Sequence, residues 1–216
     1  MITAIDDRDI LFADAEIVVV NKAADLLSVP GRGEDKQDCL WRRVQLSFPT
    51  ARIVHRLDYA TSGVMVLALN PASHRHLSIQ FQERKTAKTY QAIVAGLLLQ
   101  EKQQTSGTVD QPMRCDWDNR PLQIIDHEQG KAAQTHWRIL EPLDNATRVE
   151  LTPITGRSHQ LRVHMQFLGH PILGDRFYAA PEHIARSERL LLHAQTLSFS
   201  HPITGEALSF SSKVPF

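Results

Sequence analysis

Five segments in the middle of the chain, 87–95, 107–111, 122–126, 132–140 and 146–153, are short, bounded by turn residues and mostly alternate apolar with polar side chains. A period of two places alternate residues on opposite faces of a strand. Strands this short and closely spaced pair most readily as antiparallel neighbours, because a parallel partner needs a long crossover. That pattern constrains the chain to a largely antiparallel sheet. Further strands are expected at Glu16–Lys22, at Ile53-Val54, at Gly63–Leu69 and from Leu190 to Ser198. Helical spacing of Leu40, Trp41, Val44 and Phe48 predicts a helix over 38–48, stopped by Pro49. Asn70-Pro71 reads as a cap and first helical residue of a second helix. It should run to about Gln82 and bury Leu77, Phe81 and Ile79. A third helix over 158–168 would carry Leu161, Met165 and Leu168 on one stripe, with Gly169 ending it. The expected fold class is α+β, a single mixed, mostly antiparallel sheet with flanking helices, in one domain covering 1–216.

Composition bounds the function. A length of 216 residues suits one domain, and 42% hydrophobic residues suffice for a core. No apolar run approaches the roughly 18 residues of a membrane helix, and the acidic N-terminus lacks the layout of a signal peptide. Cys39 and Cys115 are far apart and in no metal or redox spacing, so a reduced, cytoplasmic protein is expected, with a monomer as the default. The formal net charge is zero, but it is unevenly spread. Residues 1–38 hold nine acidic and four basic side chains, whereas residues 39–95 hold eight basic ones against Asp58 and Glu83. A neutral chain can therefore present a basic face to phosphate, although a basic solvated surface would give the same count.

Three constellations carry candidate chemistry. The first is His55-Arg56-Leu57-Asp58-Tyr59-Ala60-Thr61-Ser62-Gly63, an acidic residue in a polar turn between two apolar strands. Ordinary turns also favour Asp, Thr, Ser and Gly, so local sequence allows a purely structural turn. Catalytic groups are equally at home on loops held by a rigid scaffold. The second is Gly156-Arg157-Ser158-His159-Gln160-Leu161-Arg162-Val163-His164. Arg157 precedes Leu161 by four residues, so a helical turn would aim it at the core, where it would need a carboxylate such as Asp58. The alternative is an arginine that snorkels to water. In the third, Arg84-Lys85-Thr86-Ala87-Lys88-Thr89-Tyr90, Tyr90 either fills a strand position or offers a base a stacking surface.

Other chemistries lack their residues. The histidines form no ordered ligand set and no His-Glu-x-x-His occurs, so no metal is assigned. Gly31-x-Gly33 has neither a Walker lysine nor a dinucleotide pattern, and no serine nucleophile elbow is present. No second acid stands out beside Asp58 as a glycosidase would require. What remains is cofactor-free chemistry centred on one carboxylate.

Taken together these segments resemble the RluA family of pseudouridine synthases. Its His-Arg-Leu-Asp and Thr-Ser-Gly signature is matched by His55–Asp58 and Thr61–Gly63, and its Gly-Arg-x-His-Gln-Leu-Arg element by Gly156–Arg162. Lys88-x-Tyr90, Gly169-His170-Pro171 and Leu191-Leu192-His193-Ala194 also resemble family elements, and the likeness spans roughly 14–202 in order. One departure stands out: the family's opening Asn-Lys-Pro-x-Gly is Asn21-Lys22-Ala23-Ala24-Asp25 here, which puts the geometry of that turn in question. With the likeness starting near residue 14, no separate N-terminal RNA-binding domain is expected. Cys115-Asp116-Trp117-x-Asn119-Arg120-Pro121 is similar to the dual-specificity branch, which acts on large-subunit (23S) ribosomal RNA and a tRNA anticodon stem-loop.

The resemblance implies a pseudouridine synthase catalytic fold and an isomerase that needs no cofactor. It implies that Asp58, Arg157 and Tyr90 are catalytic, with Asp58 acting on the ribose, Arg157 holding it and Tyr90 stacking on the uracil. Arg56 would occupy the stack vacated by a flipped base, and His55, Thr61, Lys88 and Arg162 would contact RNA. The rival readings are an RNA-binding protein of the same fold without chemistry and a small-molecule hydrolase built on Asp58.

Overall fold

The computed structural model describes residues 2–98 and 105–216. They cluster into two compact units, one made of Met1–Lys88 with Ala194–Pro215, the other of Thr89–His193 with Phe216.

In the first unit β2 (Ile17–Lys22) lies between β1 (Ile10–Ala13) and β4 (Ser62–Ala68), antiparallel to both, with Val19 opposite Val66. All seven residues of β4 are buried, which its unbroken apolar run from Gly63 requires: both faces must be covered. The short β3 (Arg52–Ile53) pairs with β4, Ile53 facing Leu67. On that same edge, opposite β2, β4 also neighbours β11 (Leu192–Ser200), which pairs with β12 (Ala207–Ser211). Ile17, Val19, Val64, Val66, Leu77, Leu197 and Phe199 form the core. α1 (Leu40–Ser47) buries Leu40 and Val44, and the Trp41 indole N–H donates to the Ala51 carbonyl at 2.7 Å.

α2 (Pro71–Gln82) starts where the Asn70-Pro71 pair predicts, with Asn70 Oδ1 accepting the Ser73 amide at 2.9 Å. The Glu16 carboxylate then accepts from Asn70 Nδ2 and the Ser73 hydroxyl, tying the cap to the strand. Ile79, expected inside, is 40% exposed; the inward face is carried by Leu77, with Phe81 packed at its margin.

In the second unit β5 (Ala87–Ala95, from Thr89 onward), β10 (Ala146–Pro153), β9 (Gln134–Leu143) and β6 (Ser106–Asp110) form successive antiparallel pairs. A separate ribbon of β7 (Met113–Cys115) and β8 (Gln123–Ile125) joins by an isolated bridge from Met113 to Lys131. α3 (Gln160–Phe167) begins two residues later than expected and ends before Gly169, whose φ of 81° suits a residue without a Cβ. A short α4 (Pro181–Ile184) follows. The chain is thus α+β with mostly antiparallel strands. No helix among the described residues is long and apolar enough to cross a membrane.

Candidate active site

The His55–Thr61 segment leaves β3 and returns into β4, and its backbone is clasped from three sides. Ser28 Oγ donates to the Leu57 carbonyl at 2.7 Å and accepts the Leu57 amide at 3.1 Å. Lys22, wholly buried at the end of β2, donates through Nζ to Tyr59 O at 3.1 Å. The Thr61 amide closes a turn on Asp58 O at 3.1 Å. Asp58 is half-buried, and the residues on either side of it are both fixed through their carbonyls. Hydrogen bonds to a buried ammonium are among the stronger ones, which is how a loop without regular structure can hold one geometry.

Lys22 also shapes the turn that follows it. Its Nζ donates to Ala23 O at 2.8 Å and Leu26 O at 2.7 Å, while Asp25 takes the left-handed conformation at φ 54°. Aspartate tolerates that conformation better than most residues. The same ammonium thus organises the Ala23–Leu26 turn and the loop after Asp58. The other end of the segment depends on Gly63, at φ 125°: a Cβ there would sit 2.2 Å from Ala194 O and 2.6 Å from its amide nitrogen.

His55 has a positioning role. Its Nε2 accepts the Val66 amide at 3.1 Å, taking over from β3 just past the Ile53–Leu67 pair, and its ring stacks on Phe81 at 4.4 Å. Burial, with the Lys88 charge adding to it, pushes the imidazole down to about 3. It is therefore neutral near pH 7 and Nε2 is free to accept, so the proton sits on Nδ1. The imidazole thus serves as a neutral acceptor that ties the start of the loop to β4.

Thr61 is likewise an interior residue, 2% exposed. Arg56, by contrast, is exposed, and neither it nor Lys88 has an ion pair among the described residues. Lys88 is half-buried, and that burial lowers its pKa.

In the second unit Tyr90 lies on β5 opposite Leu151 and is half-buried. Arg157 differs from expectation. It stands in the turn before α3, not within the helix, and is exposed, so no helical turn aims it at the core. Its Nε donates to Ala132 O at 3.2 Å. The turn is held by buried Gln160, whose Oε1 accepts from the Thr155 hydroxyl at 2.7 Å and the Arg157 amide at 3.0 Å. Gln160 Nε2 donates to Gln134 O and Thr135 Oγ1, and the Thr135 hydroxyl lies 2.8 Å from His164 Nδ1. With His164 Nε2 facing Gln111 O and burial lowering its pKa, one tautomer satisfies the whole chain: Nε2 carries the hydrogen and Nδ1 accepts.

The inward-facing arginine is Arg162. Its side chain is 4% exposed and makes two parallel bonds, 2.7 and 2.6 Å, to an Asp175 carboxylate that is 0% exposed. Asp175 Oδ1 also accepts the Phe177 and Tyr178 amides, and the guanidinium lies 5.2 and 5.0 Å from those two rings. Arg162 is thus a buried side chain held in place by Asp175. Sequence reading missed Lys22, Ser28 and Gln160 as organising residues. The available signals were a lysine ending a run of valines and the place of Gln160 in the Gly156–Arg162 element.

Among the described residues no group of three or more His, Cys, Asp or Glu side chains is placed to hold a metal ion.

Residues 16–167 match the family model described as RNA pseudouridylate synthase. The chain belongs to that family, and its class is the isomerase that converts uridine in RNA to pseudouridine. It is 52% identical over 208 residues to the dual-specificity RNA pseudouridine synthase RluA of Escherichia coli (strain K12), covering 96% of this chain and 93% of that one. The protein of the same name from Haemophilus influenzae is 50% identical over 209 residues, with 96% and 94% covered. Among solved structures, human RNA pseudouridylate synthase domain containing 1 superposes with a TM-score of 0.79 at 32% identity, covering 96% of this chain and 84% of that one.

Proposed function

We propose that the chain isomerises a loop uridine in 23S ribosomal RNA and in a tRNA anticodon stem-loop, with Asp58 as the catalytic carboxylate. The observation that carries the assignment of Asp58 is its presentation. A half-buried carboxylate sits on a loop fixed at Leu57 by Ser28 and at Tyr59 by a buried lysine, beside the exposed cation Arg56. Organised in advance, such a loop loses little freedom when substrate arrives. Similarity to relatives named as dual-specificity enzymes supports the two RNA classes.

In the reaction the bond from ribose C1′ to uracil N1 breaks, the base turns, and a bond from C1′ to C5 forms. C5 loses its proton and N1 gains one, so nothing enters or leaves. The target base must leave its stack, at a cost of a few kcal/mol that is smaller in a loop than in a duplex. Arg56, planar and exposed, takes the vacated position in the stack. Asp58 then acts on the ribose, by attack at C1′ or removal of the C2′ proton. Tyr90 stacks on the uracil, and Arg157, exposed on the turn that Gln160 holds, supplies positive charge for the RNA backbone. The enzyme works in the cytoplasm as a monomer; the free thiols of Cys39 and Cys115 are compatible with a reducing compartment.

The test is to incubate the protein with 23S rRNA and tRNA, without added metal or nucleotide, and to map pseudouridine by chemical adduct and primer stop. Asp58→Asn should lose essentially all conversion, by at least roughly 10³-fold, while still binding RNA. Conversion retained by Asp58→Asn would remove the carboxylate from the mechanism. Release of free uracil would point to hydrolysis instead.

A further inference from the structure

Tyr59 follows Asp58 directly, and its side chain is 53% exposed although Leu57 and Thr61 in the same segment are buried. Its ring makes no hydrogen bond or ring contact with the described residues. Two other exposed rings are covered: Arg120 lies 4.7 Å over Trp117, and Arg162 and His159 flank Phe177 at 5.2 and 5.8 Å. Its backbone, by contrast, is among the most firmly held in the loop. The carbonyl accepts from the buried Lys22 ammonium, and the turn is closed by the Thr61 amide on Asp58 O. A rigid backbone thus projects an uncovered aromatic ring into solvent one residue from the carboxylate.

We infer that Tyr59 is a substrate contact, stacking on an unpaired base next to the target uridine in the RNA. The inference rests on the reading of Asp58 given above and adds a residue to it. When one nucleotide leaves the stack, its neighbours lose a stacking partner and expose a face. A tyrosine ring can cover that face while losing only two side-chain torsions. The choice of occupant follows from charge. Arg56, three positions before Tyr59, is exposed and without an ion pair among the described residues, so the segment offers a cation for phosphate beside a ring for a base. Because any base has a π-face, the contact strengthens binding and fixes register without reading sequence by hydrogen bonds. A tyrosine that merely occupied a turn would have no bearing on RNA.

Binding is measured on an RNA stem-loop with Asp58→Asn as the parent, so that no conversion interferes, and Tyr59→Ala and Tyr59→Phe are added to it. Conversion of the same RNA is followed with Asp58 intact. Tyr59→Ala should weaken binding by roughly tenfold or more, while Tyr59→Phe should stay within about twofold of the parent. Each nucleotide flanking the target is then made abasic in turn. At the position that meets Tyr59, the difference between parent and alanine variant should vanish, whereas a structural effect would persist with every RNA and lower the thermal midpoint. Three outcomes overturn the inference: unchanged binding by Tyr59→Ala, a loss that phenylalanine does not restore, or a loss that no abasic position removes. Conversion by the Asp58-containing chain reports separately on the reaction, so a failed stack with intact conversion discards Tyr59 alone. Binding without conversion discards Asp58 chemistry instead.

Discussion

His55 shows how a polar side chain can be kept neutral to serve as a backbone substitute. Its Nε2 stands where a third β3 residue would place a carbonyl, and protonation would turn that acceptor into a donor facing the Val66 N–H. The folded pKa, about 3, is below the ordinary value of 6.5. A depressed histidine pKa means that the unfolded chain binds the proton more tightly, so its contribution to stability is complete above about 6.5 and is lost as pH falls towards 3. We expect thermal stability to decline across that window. In His55→Gln, whose amide oxygen can accept the same N–H and does not titrate, the decline should be shallower; scanning the melting temperature of both proteins from pH 7 to pH 4 checks this. An identical slope in both would assign the acid loss to other groups, His164 among them.

At the scale of elements, α3 and the segment after it are joined by the Arg162–Asp175 pair. Taking two charges out of water is expensive, and the mutual attraction offsets this only while both partners are present. Arg162→Met alone leaves a fully buried carboxylate with its two backbone donors and no counter-charge. It should destabilise by about 3–5 kcal/mol, whereas Arg162→Met with Asp175→Leu should cost clearly less. Chemical denaturation of the two variants decides between them, and a loss in the double variant as large as that of Arg162→Met would mean that removing the stranded carboxylate relieves nothing. The elements themselves were largely legible beforehand. α2 begins at the predicted cap because Asn70 and Pro71 act on the adjacent turn, and β4 is buried throughout because its apolar run admits no solvated face. The missed strands β1, β7 and β12 are three to five residues long, and β12 alternates only between exposed and half-buried positions. Their pairing depends on neighbours more than on their own pattern.

For the molecule as a whole, a net charge of zero conceals an uneven distribution. Six of the eight cations in 39–95, Arg42, Arg52, Arg56, Arg75, Arg84 and Lys88, form no ion pair among the described residues; only Arg43 and Lys85 do, with Asp38 and Glu83. Cations without partners can meet phosphates, and each such contact releases counterions. RNA affinity should therefore fall with salt despite the neutral chain. Lys88→Gln should flatten the slope of log K against log salt by about 0.7–0.9 if Lys88 meets one phosphate, and an unaltered slope would place it outside the RNA contact.

What the sequence determined by itself was local: the strand periodicities, the caps and the polar turn that carries Asp58, all set by residues a few positions apart. The tertiary structure decided which polar side chains serve the interior. Arg162, not Arg157, turns inward because α3 starts at Gln160, and its partner Asp175 is 13 residues away. Ser28 reaches Leu57 across 29 residues and Lys22 reaches Tyr59 across 37. Over such separations the choice of partner is made by packing, since a buried ammonium or hydroxyl must find an acceptor wherever the fold brings one, and no local pattern says which it will be.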